Sequence, residues 1–313
     1  MQTRKLGSLA VSVVGLGCNN FGGRLDQERT TVVVNAALDA GINFFDTADV
    51  YGGTRSEELI GRALGARRRS VIVATKFGIP LDEQRKGGAH PQYIRRALED
   101  SLKRLGTDYI DLYQLHRPDP AVPIADTLGA LEELKRAGKL REIGSSNFSV
   151  EQIREAEAHV QPGAARFVSV QNEYSLLQRE PERGVLAECA ARGIGFLPYF
   201  PLASGLLSGK YASGVAPPPA TARLADTSAP IGARFRSERN AAVAEQLSRF
   251  AASRGHSLLE LAFCWLLEQP AVSSVIAGAT SAEQIRANVA AVAWRLTLDD
   301  LGEVDRLAPL PPA

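Results

Sequence analysis

The chain has 313 residues, with 36 basic and 35 acidic side chains and a formal net charge of +1. Its 45% hydrophobic and 23% charged residues are ordinary for a globular protein and exclude wholesale disorder. The charge balance lacks the basic excess of a nucleic-acid binder, and no run reaches the ~18 to 20 apolar residues of a membrane span.

The first residues, Met1–Gly17, show no long apolar region followed by a small-residue cleavage site. A cytoplasmic location is therefore expected. Beyond them, short apolar runs alternate with longer amphipathic stretches. The runs are Val11–Leu16, Asn43–Thr47, Val71–Phe77, Ile110–His116, Arg141–Ser145, Phe167–Asn172, Gly195–Phe200 and Val272–Gly278. They read as parallel strands buried on both faces. The intervening stretches read as helices over Glu28–Ala40, Ser56–Leu64, Pro91–Leu105, Pro123–Ala137, Val150–Ala158, Arg183–Arg192, Asn240–Arg254 and Ser281–Ala291. Ser149 with Gln152, and Thr280 with Glu283, have capping-box spacing. Gly41, Gly106, Gly138 and Gly193 stand where helices should end. Ser257–Glu268 and Leu298–Leu307 are further C-terminal helices.

Eight βα units in series predict an α/β fold, a (β/α)8 TIM barrel, as a single domain over residues 1–313; the rival is a doubly wound open sheet. The segment Tyr211–Arg239, rich in Ala, Pro, Ser, Gly and Arg, reads as a long loop after the seventh strand. It is either a lid over the barrel mouth or a surface insertion. Cys18, Cys189 and Cys264 are too few and too scattered for a disulfide framework or a metal site, and no metal is expected.

Barrel chemistry sits at the C-terminal strand ends. Asp46 closes an apolar run, where a carboxylate needs a partner. Tyr51 follows in a glycine-bounded loop. Lys76 ends the most apolar strand, in a chain with 7 lysines and 29 arginines. A lysine there either snorkels to solvent or serves as a tunable point charge. His116, one of 4 histidines, ends the fourth strand. A cation beside a tyrosine hydroxyl favours the phenolate and should lower its pKa from ~10 toward neutrality. Such a tyrosine can act as general acid or base, while the histidine donates a hydrogen bond to a carbonyl oxygen.

Four segments, Phe45-Asp-Thr-Ala-Asp-Val-Tyr-Gly52, Ala74-Thr-Lys-Phe-Gly78, Tyr113-Gln-Leu-His116 and Ile143-Gly-Ser-Ser-Asn-Phe148, occur in this order. With them the chain resembles the aldo-keto reductase superfamily over essentially its whole length. The resemblance implies a (β/α)8 barrel and NADPH-dependent reduction of an aldehyde or ketone. It implies a catalytic tetrad of Asp46, Tyr51, Lys76 and His116. It also implies that Ser146, Asn147 and Gln171 hold a carboxamide, that Tyr199 stacks on the nicotinamide, and that Leu202, Ser204, Gly205 and Leu207 approach the pyrophosphate. The adenosine end is expected at Gly278, Thr280, Ser281, Gln284 and Asn288. Gly15 and Gly17 do not complete a Rossmann fingerprint, since Asn20 stands at the third glycine; they are expected in a close-packed turn.

Members of the superfamily often carry a basic residue near the adenosine end to grip a 2′-phosphate. Here only hydroxyls, an amide and backbone donors stand there, with Arg286 a turn away, which leaves NADH open beside NADPH. Asn19, Phe21, Tyr51, Arg117 and residues 211–239 are expected to line the substrate pocket. Arg117 stands where many members have an aromatic. It is either a cation for a polar or anionic substrate or the partner of a local acid such as Asp119. Two other readings remain: a cofactor-binding regulatory or sensor subunit, and a different barrel enzyme such as a metal-dependent hydrolase or a lyase. The expected partner is a small carbonyl compound, with no nucleic acid and no membrane.

Overall fold

The computed structural model of the chain describes residues 1–211, 224 and 234–310. A hairpin comes first, β1 (Thr3–Leu6) and β2 (Leu9–Ser12), joined at Gly7-Ser8 with Leu6 opposite Leu9. Eight strands follow: β3 (Val14–Gly17), β4 (Phe44–Asp46), β5 (Ile72–Phe77), β6 (Ile110–Leu115), β7 (Leu140–Ser146), β8 (Phe167–Gln171), β9 (Gly195–Phe196) and β10 (Val275–Gly278). They pair in parallel in chain order, and β10 lies beside β3. The β9–β10 seam is closed by a bridge between Phe196 and Val272. There Phe196 N donates to Ala271 O at 2.6 Å and Ser273 N donates to Phe196 O at 3.0 Å. The architecture is a (β/α)8 barrel, and the open-sheet rival falls with that closure.

The helices are α1 (Gln27–Asp39), α2 (Arg55–Leu64), α3 (Pro91–Leu105), α4 (Ile124–Arg136), α5 (Val150–Ala158), α6 (Val185–Arg192), α7 (Glu238–Ser253), α8 (Leu258–Glu268), α9 (Ala282–Ala290) and α10 (Leu298–Leu307). Side-chain caps satisfy orphan amides at several starts: Asp26 on α1, Ser149 with Gln152 on α5, and Ser257 with Glu260 on α8. Gly41, Gly106, Gly138 and Gly193 all take positive φ at helix ends. No helix among the described residues is long and apolar enough to cross a membrane.

Inside the barrel, alternate side chains point inward. Phe44, Ile72, Ala74, Leu112, Leu197 and Ile276 fill the lower interior together with Leu6, Leu9 and Val11 of the hairpin. The hairpin lies at the N-terminal strand ends, where Ser8 N donates to Glu142 at 2.7 Å and Ser12 N donates to Asn43 at 2.7 Å. It plugs the barrel floor. Its three aliphatic side chains each gain about 1.5–3 kcal/mol from burial.

Several boundaries differ from expectation. The Val11–Leu16 run divides between β2 and β3, because the chain must turn from the floor hairpin into the barrel. Gly15 and Gly17 lie within β3, not in a turn; a Cβ on Gly15 would stand 2.9 Å from Phe44. The seventh strand stops at Phe196, and Tyr199 is held by a single bridge to Glu173. The Arg183–Arg192 helix begins only at Val185, since Gly184 at φ 147° separates it from a 3-10 turn over Glu180–Arg183. Thr280 does not cap α9; Ser281 does, accepting from Gln284 N at 3.3 Å. Within the Tyr211–Arg239 loop, residues 212–223 and 225–233 lie outside the described residues.

Two helix glycines separate packing from propensity. Alanine is favoured over glycine in a helix by about 1 kcal/mol. At Gly129 on α4 an added Cβ would meet nothing within 4 Å, whereas at Gly61 on α2 it would stand 2.4 Å from the Leu105 carbonyl oxygen. Backbone cannot yield as a side chain can, so packing wins at Gly61. In thermal melts, Gly129→Ala should raise Tm by about 1–3 °C. Gly61→Ala should lower Tm despite the same gain in propensity, with a loss of about 1–3 kcal/mol.

Candidate active site

The inward alternation that fills the floor with apolar groups ends at the top in polar ones. Asp46 ends β4, Lys76 lies near the end of β5, Gln114 lies on β6 and Gln171 ends β8. Lys76 is 0% exposed. Its Nζ donates to Asp46 Oδ2 at 2.6 Å and to Thr47 O at 2.9 Å. The other carboxylate oxygen, Oδ1, accepts from Gln114 Nε2 at 3.2 Å and Gln171 Nε2 at 2.9 Å. Gly144 on β7 lies against this cluster: a Cβ there would stand 2.1 Å from Ser169 Oγ on β8 and 3.2 Å from Gln114 Cγ.

Tyr51 and His116 stand above the pair, with ring centroids 5.9 Å apart and planes at 79°. Lys76 reaches the Tyr51 hydroxyl, with Nζ 5.2 Å from the ring centroid. Burial works against the lysine's charge, but Asp46 and Tyr51 raise its pKa above the ordinary value. For Tyr51 the balance runs the other way. Burial raises its pKa, and Lys76 only offsets part of that rise. The expected lowering toward neutrality is therefore corrected: desolvation outweighs the cation, and the phenol holds its proton. His116 is pushed down to about 2 by burial first, then by Lys76 and Arg117, so its ring is neutral. Its Nδ1 is buried without a partner, which leaves Nε2 for the cavity.

Beside His116 lies a second polar network. Asn147, at φ 62°, donates from Nδ2 to His116 O at 3.0 Å and to Ser146 Oγ at 3.1 Å. Its Oδ1 accepts from the Tyr199 hydroxyl at 2.8 Å. Ser146 Oγ donates to Gln171 O at 2.7 Å.

Asp46, Tyr51, His116, Ser146, Asn147, Gln171 and Tyr199 line one cavity of about 910 Å³. It runs on past Leu202, Ser204 and Gly205 to Gly278, Thr280, Gln284 and Asn288. Ala203, Ser204 and Gly205 have φ of 46°, 57° and 100°, a tight left-handed turn, and Ser204 Oγ is buried without a partner. Such turns present backbone donors to anions. Thr280 donates through N and Oγ1 to Gln284 Oε1 at 2.8 and 3.3 Å.

Four expected residues fall outside the cavity. Leu207 is 0% exposed in the main core, because the left-handed turn carries it inward. Ser281 faces α9 as its cap. Phe21 is 0% exposed in the core, while its neighbour Asn19 lines the cavity. Lys76 lies behind Asp46, away from the cavity. Arg24 and Lys210 also line the mouth and were not expected there, whereas Arg234 belongs to the segment 211–239 that was. Lys210 immediately precedes that segment. Among the described residues no group of three His, Cys, Asp or Glu side chains could hold a metal ion.

Residues 13–309 match the aldo/keto reductase family. The chain belongs to that family. It is 36% identical to Probable aldo-keto reductase 1 of Glycine max, over 99% of this chain and 90% of that protein. It is also 36% identical to Aldo-keto reductase YhdN of Bacillus subtilis, over 96% of this chain and 90% of that protein. The chemistry of aldo/keto reductases is nicotinamide-dependent carbonyl reduction, which makes this chain an oxidoreductase by family.

One acid in this aldo/keto reductase went unnoticed in its own motif. Asp49, between Asp46 and Tyr51, is 0% exposed, and its carboxyl oxygens find no well-formed hydrogen bond. Burial first, then repulsion from Glu57, raises its pKa to about 7, with Arg104 opposing. Glu57 is already engaged by Thr75 Oγ1 at 2.6 Å and Arg104 Nε at 2.7 Å. The folded chain thus keeps a proton that an unfolded aspartate, with pKa ~3.9, releases. Stability should fall as pH rises from about 4 to about 7, then level off. Asp49→Asn removes the ionisation. Its gain over wild type in denaturant melts should be about 1–3 kcal/mol larger at pH 8 than at pH 5. Equal gains at the two pH values would assign the effect elsewhere.

Proposed function

We propose that the protein reduces an aldehyde or ketone to an alcohol, with Tyr51 as the general acid. The observation that carries this reading is the buried Asp46–Lys76 pair set beneath Tyr51 and His116 at one cavity. When bound, a reduced nicotinamide supplies hydride to the carbonyl carbon. The carbonyl oxygen sits between the Tyr51 hydroxyl and His116 Nε2, both neutral donors near pH 7. As negative charge develops on that oxygen, Tyr51 gives up its proton. Lys76, fixed by Asp46 and Thr47, stabilises the phenolate left behind. Asp46, with Gln114 and Gln171 on its second oxygen, orients the lysine and does not itself touch substrate.

Ser146, Asn147 and Gln171 are proposed to hold a carboxamide, with Tyr199 against the ring. The Tyr199–Asn147 hydrogen bond fixes the ring's tilt and supports this role. The Ala203–Gly205 turn and the unpartnered Ser204 Oγ suit a pyrophosphate. Gly278, Thr280, Gln284 and the buried Asn288 suit the adenosine end. The proposed cofactor is NADPH, with NADH also accepted. The donors at Thr280 are already turned toward Gln284, and no cation stands among these four residues to grip a 2′-phosphate.

Tyr51→Phe should lower turnover of an aldehyde by about 10²- to 10⁴-fold, while calorimetry still detects cofactor binding. Full activity in that variant would remove Tyr51 from the chemistry. Calorimetric titration should also show NADPH favoured over NADH by less than about tenfold. Thr280→Arg should widen that preference by about tenfold through a charge-assisted contact.

A further inference from the structure

His116 N donates to Phe77 O at 2.8 Å and His116 O accepts from Asn147 at 3.0 Å, so the chain is pinned where Arg117 leaves β6. Arg117 is exposed and lines the same cavity as His116 and Tyr199. The local acid that might have neutralised it is engaged elsewhere. Asp119 Oδ2 accepts from Ala89 N at 2.8 Å and Oδ1 accepts from Ala121 N at 3.0 Å. Other exposed arginines, such as Arg154 and Arg249, hold a glutamate at 2.7 and 2.5 Å. Among the described residues Arg117 holds none.

The remaining charges of the cavity are disposed differently. Arg24, in the segment between β3 and α1, also holds no carboxylate among the described residues, but its charge acts on Tyr211 and not on His116. Arg234 is paired with Glu173 at 2.8 Å and lies over Phe200 and Phe235. Lys210 stands against Gly205, at the turn suited to phosphate. Asp46 is neutralised by Lys76. An uncompensated guanidinium thus remains one residue from the ring that meets the carbonyl oxygen. Its planar fork matches a carboxylate bidentately.

We propose that Arg117 binds a carboxylate on the substrate, so that the enzyme favours oxo acids, carbonyl compounds bearing a carboxylate within a few bonds of the reacting carbon. This rests on the carbonyl-reductase reading above. The carboxylate on Arg117 anchors the substrate from its non-reacting side, with the carbonyl directed at Tyr51 and His116. A hydrogen-bonded charge pair of this kind is worth about 1.5–3 kcal/mol, or about 10- to 100-fold in kcat/KM.

The test compares 4-carboxybenzaldehyde with its neutral isostere 4-carbamoylbenzaldehyde under saturating NADPH. The wild-type enzyme should favour the acid by about tenfold or more in kcat/KM. In Arg117→Met the acid-to-amide ratio should fall toward one, with the change carried by the KM of the acid. Arg117→Lys should keep part of the preference. Raising ionic strength should shrink the wild-type ratio and leave the Met variant's ratio where it is, which a merely structural role would not do. A wild-type ratio near one, or a ratio unmoved by Arg117→Met, overturns the proposal. Reduction of the amide without preference for the acid fails this inference alone, whereas reduction of neither aldehyde fails the reductase reading with it. Glyceraldehyde 3-phosphate against glyceraldehyde gives a second pair. Preference there, without preference for the carboxylate, assigns Arg117 to phosphate and overturns the oxo-acid assignment.

Discussion

The mouth of this barrel depends on one buried ion pair. Lys76 and Asp46 meet at 2.6 Å, and the lysine is 0% exposed. Removing two such charges from water costs several kcal/mol each, and their attraction offsets that only when the remaining lone pairs and protons are also satisfied. Four barrel strands and the loop after β4 meet that demand. Asp46 comes from β4 and Lys76 from β5, Gln114 and Gln171 come from β6 and β8, and Thr47 supplies a carbonyl. Gly144 on β7 leaves space first for Ser169 on β8 and then for Gln114. The pair is neutral as a unit, yet its positive end lies toward Tyr51, and that orientation is what the barrel's closure preserves.

The same inward alternation explains what could be read before the structure was in hand. Strands buried on both faces appear as apolar runs, so eight of them stood out. A charged residue ending such a run also stood out, which is why Asp46, Lys76 and His116 were found. Gln114 was not, because a neutral amide inside a run carries no comparable signal, although Leu112, Gln114 and His116 share one inward register. The floor hairpin was missed for a different reason. Leu6-Gly7-Ser8-Leu9 is a two-residue turn signal, but the flanking strands are short and merged with the run beginning at Val11. Leu207 and Phe21 were misplaced because residue types along a motif do not tell which way an irregular turn points. At Leu207 the direction follows from three consecutive positive φ values.

Ser146, Asn147, Gln171 and Tyr199 show how far the site is organised by its own bonds. Both donors of the Asn147 amide and its oxygen are engaged, and the Ser146 hydroxyl is bonded as donor and acceptor. The carboxamide proposed to bind here would exchange existing hydrogen bonds for new ones, so its net gain would be a difference and not a sum. The return on that smaller gain is geometry. Side chains already locked by one another lose little conformational freedom on binding and hold a ring within the narrow limits that hydride transfer needs.

Protonation follows the same logic of local neutrality. Burial holds the Tyr51 proton in place and keeps His116 at about 2, so the two groups facing the cavity are uncharged donors, and the adjacent charges cancel within the Asp46–Lys76 pair. A tyrosine made acidic in the resting state would lose its proton to solvent before it was needed. In the proposed reaction, one kept protonated by burial, with a lysine behind it, gives the proton up only when a nearby oxygen gains negative charge. The cation then stabilises the phenolate in the transition state more than the phenol in the ground state, which is the difference that accelerates a reaction. In such a setting Arg117 at the rim acts in the same direction as burial and Lys76, which already hold His116 neutral. On the proposed reading, orientation of the substrate and acidity of the donor are set by separate groups.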